Sequence, residues 1–183
     1  YYENHVRFFL GRRYGHGSKV EIDLDAVRRE YDERPYRDRS GFPLGGTLKR
    51  GSLGGGVNWS HSFGEHRIWQ TRTSGEFLAV MDDDLGYYDY DLGRVRASLI
   101  RSGAKWKTTA TLGFSHYDYQ TQLGDDGRSN LHRQTIETVL STERSFGEKW
   151  TGFLEWRREQ DFSNVRSYEY NANVLSIGGE RSL

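Results

Sequence analysis

The stretch GRVRASLIRSGAKWKTTATLGFS, residues 93–115, indicates the fold of the chain. Apolar residues occupy every second position of residues 93–99 and, apart from Thr108, again of residues 106–114, and most positions between them are polar. Alternation with a period of two puts apolar side chains on one face of a β-strand and polar side chains on the other. Residues 102–104 between the two runs are Ser-Gly-Ala, which suits a tight turn. The stretch therefore predicts a β-hairpin with one apolar and one polar face.

The same alternation recurs along most of the chain. It is clear at residues 20–26, where Val, Ile, Leu and Ala alternate with Glu and Asp. Similar runs lie at residues 3–14, 53–63, 66–81, 130–146, 148–162 and 166–182. Most of these runs are longer than the about 5 to 6 residues of a typical soluble strand and the about 9 to 11 that cross a bilayer. We predict one all-β domain, residues 1–183, of about nine antiparallel strands, with Pro35 and Pro43 in a loop.

The connections between the predicted strands alternate in length. Short turns are predicted around residues 15–17, 63–65, 102–104 and 146–148, and longer polar connections at residues 32–52, 82–87, 121–129 and 161–166. Two of the short turns repeat in sequence, as SFGEH and SFGEK. Short turns on one rim and long loops on the other are typical of an antiparallel up-and-down transmembrane β-barrel. A soluble barrel or sandwich is the alternative, because a single strand of either would alternate in the same way.

The composition favours a membrane wall over a globule. With Gly counted and Tyr left out, apolar residues make up about 39% of the chain, against about 45 to 50% in a globular domain. Gly, at 22 residues, and aromatic residues, at 14%, are nevertheless abundant. The 26 Lys and Arg balance the 26 Asp and Glu, so the charge indicates no nucleic-acid partner. The absence of Cys excludes disulfides, thiolate metal sites and Cys nucleophiles.

Aromatic residues are expected at both rims of the barrel. Trp59, Trp69, Trp106 and Trp150 lie close to short turns and share the parity of the apolar face of their strands. We predict that these four form an aromatic girdle at one membrane interface. Tyrosines lie near the opposite rim, and several of them have the parity of the polar face. These are expected at the mouth of the pore: Tyr87, Tyr88, Tyr90, Tyr117, Tyr119, Tyr168 and Tyr170.

The polar face is expected to line the lumen and carries charges of both signs. The predicted lumen residues are Glu21, Asp23, Asp25, Arg94, Arg96, Lys107, Arg133, Glu137, Glu155 and Arg157. One interpretation is that they create a transverse field that selects solutes. The other is that they pair across strands and stiffen or plug the interior.

The last predicted strand resembles a known family. Residues 161–183 read DFSNVRSYEYNANVLSIGGERSL. The features that carry the resemblance are Ser163 and Asn164, Tyr168 and Tyr170, Asn173, and the alternating Leu175, Ile177 and Gly179. The segment is similar to the closing strand of bacterial outer-membrane barrels, notably those that follow tetratricopeptide-repeat domains, such as surface lipoprotein assembly modifiers. Such chains usually end in Phe, whereas this one ends in Leu183.

The resemblance implies a location, an orientation and a function. It implies the bacterial outer membrane, with the short turns in the periplasm and the longer loops outside. Because bacterial single-chain barrels have an even number of strands, nine strands would be the C-terminal part of a larger barrel. The expected function is a channel or a component of export and translocation, and the alternative is a scaffold barrel with a narrow or plugged lumen that anchors partner proteins. The expected partners are membrane lipid, lipopolysaccharide, and a periplasmic tetratricopeptide region or other outer-membrane subunits.

Catalysis and metal binding have little support in the sequence. His116 and His132 flank residues 121–129, with Asp118 nearby, so a His/Asp pair of an outer-membrane hydrolase is a distant alternative. The acidic runs at residues 82–84 and 125–126 offer carboxylates to Ca²⁺ but lack the spacing of a ligand loop. We predict no catalytic residue, no metal site and no cofactor.

Overall fold

The structure, a computed structural model, describes residues 1–15, 17–38, 41–82, 85–147 and 149–181. Within these residues one sheet of nine antiparallel strands forms, and each strand pairs with its neighbours in sequence. The strands are β1 (Tyr2–Tyr14), β2 (Ser18–Arg37), β3 (Pro43–Phe63), β4 (Trp69–Asp82), β5 (Tyr90–Ser102), β6 (Trp106–Leu123), β7 (Asn130–Phe146), β8 (Trp150–Ser163) and β9 (Tyr170–Arg181). The predictions of an all-β fold and of about nine up-and-down strands are confirmed.

The remaining described elements are two single turns of 3-10 helix, Glu65–Arg67 and Arg166–Tyr168. No helix among the described residues is long and apolar enough to span a membrane. Eight residues covered by the sequence analysis lie outside the described residues, namely His16, Arg39, Ser40, Asp83, Asp84, Glu148, Ser182 and Leu183.

Two strands begin later than the alternation predicted. β4 begins at Trp69 and not at residue 66, because His66 and Arg67 have φ angles of 54° and 53°. A left-handed backbone is incompatible with an extended strand. β9 begins at Tyr170 and not at residue 166, since a 3-10 turn precedes it.

The prediction of a loop over residues 32–52 is wrong. β2 continues through Pro35 to Arg37, and β3 already begins at Pro43, so this region is an extension of the β2–β3 hairpin. Proline is tolerated at the first residue of a strand and at bulges, where no ladder hydrogen bond from its nitrogen is needed. Pro43 occupies the first position of its strand, and the β2–β3 register shifts on both sides of Pro35. The two prolines were expected in a loop, but they lie at irregular positions of a long hairpin.

The sheet has an apolar and a polar face that differ in exposure. Leu24 and Val95 on the apolar face are 56% and 55% exposed. On the polar face the carboxylate side chains of Asp23 and Glu137 are only 18% and 17% exposed. No second layer of described secondary structure covers either face. No described element therefore shields the apolar face, and on the polar face these carboxylates are less exposed than cations such as Arg96, at 48%.

The few buried apolar side chains lie on the polar face. Those below 9% exposure in the described part of the chain are Leu48, Val80, Leu92, Ile100 and Leu131. The register puts them on the same side of the sheet as Arg94 and Glu137. The fold thus has no conventional core between layers, which explains the small apolar share of the composition.

The connections define two rims. The β1–β2, β3–β4, β5–β6 and β7–β8 connections lie at one rim, which we call the short-turn rim, and the other four lie at the long-loop rim. At the short-turn rim, backbone hydrogen bonds join successive hairpins: Ser62 N–H to Gly17 O at 2.9 Å, Ser102 N–H to Ile68 O at 2.7 Å and Ser145 N–H to Lys105 O at 2.9 Å. A Cβ on Gly17, whose φ is 121°, would lie 2.9 Å from the Ser62 carbonyl oxygen, so glycine permits the first of these contacts.

The sheet does not close on itself within the described residues, because β1 and β9 are edge strands that do not pair with each other. With nine strands in antiparallel order, β1 and β9 run in the same direction. An antiparallel barrel that included this sheet would therefore need an odd number of further strands between them.

Candidate functional site

The polar face brings the ten predicted lumen residues onto one surface. Each has an ionisable partner within 4 Å, which for Asp25 is a histidine. The pairs are Glu21 with Lys19, Asp23 with Arg7, Asp25 with His5, Arg94 with Glu76, Arg96 with Glu137, Lys107 with Glu143, Arg133 with Asp161, and Glu155 and Glu137 with Arg157. In a sheet, such pairs between neighbouring strands are the default arrangement of opposite charges.

One ion pair reaches across a strand. Arg96 Nη2 on β5 lies 2.8 Å from Glu137 Oε2 on β7, although β6 separates the two strands. The residue between them in the register is Gly113, and Arg96 Nε lies 3.7 Å from the position a Cβ would take there. Glu137 also contacts Arg157 on β8 at 3.7 Å. The missing side chain of Gly113 therefore allows a charge network that spans four strands.

A second group of charges lies nearer the long-loop rim. Arg94 Nη1 lies 3.2 Å from Glu76 Oε2 on β4, and its Nε donates to Ser115 Oγ on β6 at 3.1 Å. The guanidinium is thus held from both neighbouring strands.

The most buried charge of the polar face is Asp161 on β8, whose side chain has 0% exposure. Arg133 Nε donates to Asp161 Oδ2 at 2.8 Å, and its Nη2 donates to the same oxygen. Thr135 Oγ1 donates to the other carboxylate oxygen. The guanidinium of Arg133 also lies over the ring of Tyr117, 5.6 Å from its centroid. A carboxylate without exposure is thereby satisfied by one cation and one hydroxyl.

Two polar cavities open on this face between the ion pairs. The larger, of about 590 Å³, lies over β2 to β5 and is lined by Glu21, Asn58, Arg72 and Arg96 among others. The smaller, of about 220 Å³, lies over β5 to β8 between Arg94 and Glu159. The polar face is therefore not filled by its own side chains, even though its charges are paired.

Tyrosines gather on the polar side at the long-loop rim. Tyr90 packs against Tyr117 and Tyr119, with ring centroids 5.9 and 5.4 Å apart, and Arg50 Nη2 donates to the Tyr90 hydroxyl at 3.1 Å. A cavity of about 230 Å³ beside them is also lined by Tyr88 and Tyr168. Tyr87 makes an edge contact with Tyr88, and the Tyr170 hydroxyl donates to Glu159. The aromatic surface and the cations beside it form one entrance to the polar face.

The four predicted girdle tryptophans lie on the apolar face towards the short-turn rim. Trp106 and Trp150 are the first residues of β6 and β8, and Trp69 is the first residue of β4. Trp59 lies further along its strand and stacks on His61 at 6.0 Å. Trp69 stacks on Phe63 at 6.5 Å. The structure thus brings three of the four to the beginning of alternate strands at one rim.

Sequence reasoning missed three carboxylates of the polar face: Glu76, Glu143 and Asp161. Glu76 and Glu143 have the parity of the polar face in their strands, so continued counting along each strand would have found them. Asp161 lies where the predicted strand, residues 148–162, overlaps the predicted connection, residues 161–166, and the structure puts it in β8, which extends to Ser163. Counting in steps of two from Glu155 along that strand would have assigned Asp161 to the polar face.

The structure brings the three residues considered for a hydrolase together, because Asp118 on β6 lies directly opposite His132 on β7. His116 Nε2 lies 2.9 Å from Asp118 Oδ2, on the apolar side of β6. In the adjoining loop, Ser129 Oγ donates to Asp126 Oδ2 at 2.7 Å. Asp125 accepts the backbone N–H of Arg166 at 2.9 Å. These loop carboxylates bind backbone and hydroxyl groups of the two neighbouring loops.

Among the described residues no group of three or more His, Asp or Glu side chains is arranged to hold a metal ion. Asp82 accepts the backbone N–H groups of Gly86 at 2.8 Å and Tyr88 at 2.9 Å, which shapes the β4–β5 connection.

Comparison of the chain with protein-family models, with curated proteins and with solved structures finds no match. Assignment of the fold class, an antiparallel all-β sheet, therefore depends on the geometry described above.

The β6–β7 loop gives a prediction on pH. Backbone hydrogen bonds from Arg128 and Ser129 and the Ser129 hydroxyl lower the pKa of Asp126 below its usual value of 3.8. The ionised carboxylate therefore stabilises the loop above that value, and the contribution is lost as the pH falls through the folded pKa. We expect the Arg128 and Ser129 amides to lose protection from hydrogen exchange in that acidic range.

Asp126→Asn is expected to lower the same protection at neutral pH. Asp118→Asn is the matched control, because its carboxylate contacts His116 and lies outside the loop hydrogen bonds. Equal protection in the wild type and in Asp126→Asn at neutral pH would contradict the prediction. Exchange measured by NMR residue by residue separates this loop from the strands.

Proposed function

We propose that this chain is part of the wall of a bacterial outer-membrane β-barrel that acts as a channel or as a component of export. The observation that carries the proposal is the reversed exposure of the two faces. A water-soluble sheet covers its apolar face and leaves charges in solvent, whereas here Leu24 and Val95 are more than half exposed with no described element over them, and Glu137 on the polar face is only 17% exposed. Lipid would cover such an apolar face, and water or solute would fill the polar side.

The strand lengths and the rims support the same proposal. Each strand, from β9 with 12 residues to β3 with 21, is long enough to cross a bilayer at a tilt. The unpaired edges of β1 and β9 support a larger wall, because an open apolar-faced sheet in lipid would leave backbone groups without partners. We propose that the nine strands are the C-terminal part of a larger, even-stranded barrel.

The paired charges favour a second candidate. The network from Arg96 through Glu137 to Arg157 links β5, β7 and β8 and stiffens the polar face. A scaffold barrel with a narrow or plugged lumen, which anchors tetratricopeptide-containing or other outer-membrane partners, would need such stiffness and no solute path. We place the channel first because cavities of about 590 and 220 Å³ remain between the ion pairs.

Single-channel recording separates the two candidates. For a channel we expect discrete, stable openings when the complete barrel that contains this chain is reconstituted in planar bilayers. Arg94→Gln together with Arg96→Gln is expected to shift the reversal potential towards cation selectivity, because two cations of the polar face are lost while Glu76 and Glu137 remain. The absence of openings from protein that is shown to be inserted would favour the scaffold.

A charge-matched control tests whether the shift in reversal potential comes from the polar face. Arg128→Gln together with Arg166→Gln removes two exposed cations from the long-loop rim, outside the ion pairs of the polar face. We expect a smaller shift from this pair, because loop charges are screened by salt. An equal shift would place the selective charges outside the polar face.

A further inference from the structure

The short-turn rim carries the same side-chain pair three times. Each pair is a tryptophan that begins a strand and an arginine directly opposite it on the following strand. The guanidinium carbon lies over the indole, at 5.5 Å for Arg101 and Trp69, 4.9 Å for Arg144 and Trp106, and 5.7 Å for Arg181 and Trp150. A cation–π contact of this length fixes the orientation of the arginine. We call the three pairs the Trp–Arg band.

A second cation adjoins each pair. Lys105 directly precedes Trp106, Lys149 directly precedes Trp150, and Arg67 lies two residues before Trp69. All three are exposed. Each unit of the band therefore has one indole and two cations at the same rim of the sheet.

The arginines of the band have no anionic partner in the part of the chain that the structure describes. No carboxylate there lies within 4 Å of Arg101, Arg144 or Arg181, whereas the predicted lumen arginines are all paired. Stacking occupies the face of a guanidinium and leaves its N–H edge free for two parallel hydrogen bonds. A planar donor edge of this kind fits a phosphate or a carboxylate.

The depth of the band selects between these anions. Indole rings on the apolar face of a membrane barrel lie at the level of the lipid headgroups. The group found at that depth and able to accept two hydrogen bonds from arginine is the lipid phosphodiester. With two cations in each unit, a headgroup of net negative charge is favoured over a zwitterionic one.

We infer that the Trp–Arg band binds the phosphodiester headgroups of anionic phospholipids, with one headgroup at each of its three units. The inference builds on the proposed membrane location. It goes beyond an aromatic girdle, because it assigns arginine as the headgroup ligand and the indole as the side chain that orients it. Backbone hydrogen bonds brace two of the units from within: Ser102 N–H donates to Ile68 O beside Trp69 and Arg101, and Ser145 N–H donates to Lys105 O beside Trp106 and Arg144.

Tryptophan fluorescence tests the inference directly. The full chain is reconstituted in phosphatidylethanolamine vesicles that contain brominated phosphatidylglycerol or, at the same mole fraction, brominated phosphatidylcholine. Bromine quenches only nearby indoles, and Trp59→Phe with Trp156→Phe in every sample leaves the three indoles of the band as the reporters of lipid there. We expect phosphatidylglycerol to bind on the order of fivefold or more tightly than phosphatidylcholine.

Variants assign the preference to the arginines. In the triple variant R101Q/R144Q/R181Q the ratio of the affinity for phosphatidylglycerol to that for phosphatidylcholine is expected to fall close to one. Quenching by phosphatidylcholine shows that the variant is still inserted. R101K/R144K/R181K is expected to keep part of the preference, since charge remains and the paired N–H donors are lost. R128Q/R166Q, at the opposite rim, is expected to keep all of it.

The outcomes are distinguishable. Equal quenching by both lipids in the wild type overturns the inference and leaves the proposed membrane wall intact. If neither lipid quenches, the chain is not in the bilayer, and the proposed function fails as well. If inorganic phosphate abolishes the preference, the band binds free phosphate and not a lipid headgroup, and the inference is also overturned.

Discussion

Val57→Arg is expected to destabilise the membrane-inserted chain by about 2 to 4 kcal/mol, because it places a charge on the lipid-facing surface near mid-height of the sheet. Val57 is 48% exposed on the apolar face, and its row across the sheet contains Ile22, Val95 and Phe114. The free energy of unfolding is measured by denaturant titration in lipid vesicles. In a soluble sheet, arginine at a half-exposed position would cost within about 0.5 kcal/mol.

Asn58→Arg is the matched control. Asn58 is the next residue, lies on the opposite face, and pairs in register with Glu21 on β2, beside the larger polar cavity. A cation there gains an acidic neighbour, so we expect little change in stability. A similar effect from both variants would contradict the assignment of the apolar face to lipid, and so would a negligible effect from Val57→Arg.

Asp161→Ala is expected to have the second large effect, a loss of about 3 kcal/mol in unfolding free energy. The substitution leaves Arg133 and Thr135 without the carboxylate they bind, and removing one partner of a buried ion pair typically costs about 3 to 5 kcal/mol. We use the lower end because Arg133 is 30% exposed and retains some contact with solvent. Denaturant titration again measures the change.

Two further variants interpret this result. Asp161→Asn is expected to lose less, because the amide oxygen still accepts one hydrogen bond and the shape is kept. Glu65→Ala, at a turn where the side chain is 90% exposed, is expected to change stability by less than about 0.5 kcal/mol. If Asp161→Ala matched Glu65→Ala, the Arg133–Asp161 pair would contribute nothing measurable to the fold.

Local alternation of apolar and polar residues was sufficient to predict the strands and to assign side chains to their two faces. A residue such as Arg94 or Trp106 is assigned to a face by counting in steps of two from its neighbours, and this requires no knowledge of another strand. The count is unreliable only where the backbone leaves the strand. His66 and Arg67, with positive φ, interrupt it, and so does the register shift beside Pro35.

Alternation could not predict which side chains contact each other across neighbouring strands. Arg96 meets Glu137 only because the register sets Gly113 between them, and the register depends on how three strands align. Arg144 lies over Trp106 because residues far apart in sequence become direct neighbours across two strands. Nothing in the sequence near either residue indicates its partner.

The period-two pattern, the turn residues and the aromatic parity are local properties of the chain, and they were enough to predict the all-β class, the number of strands and the face of each candidate residue. The register is a property of the whole sheet, since the sequence of one strand is the same whichever residues lie opposite it. Only the assembled strands paired the ten predicted charges, left cavities between them and aligned three arginines over three indoles. The composition indicated a chain without an ordinary core, and the assembled sheet decided where the apolar residues lie: on a face that no described element covers, because every strand turns them to the same side.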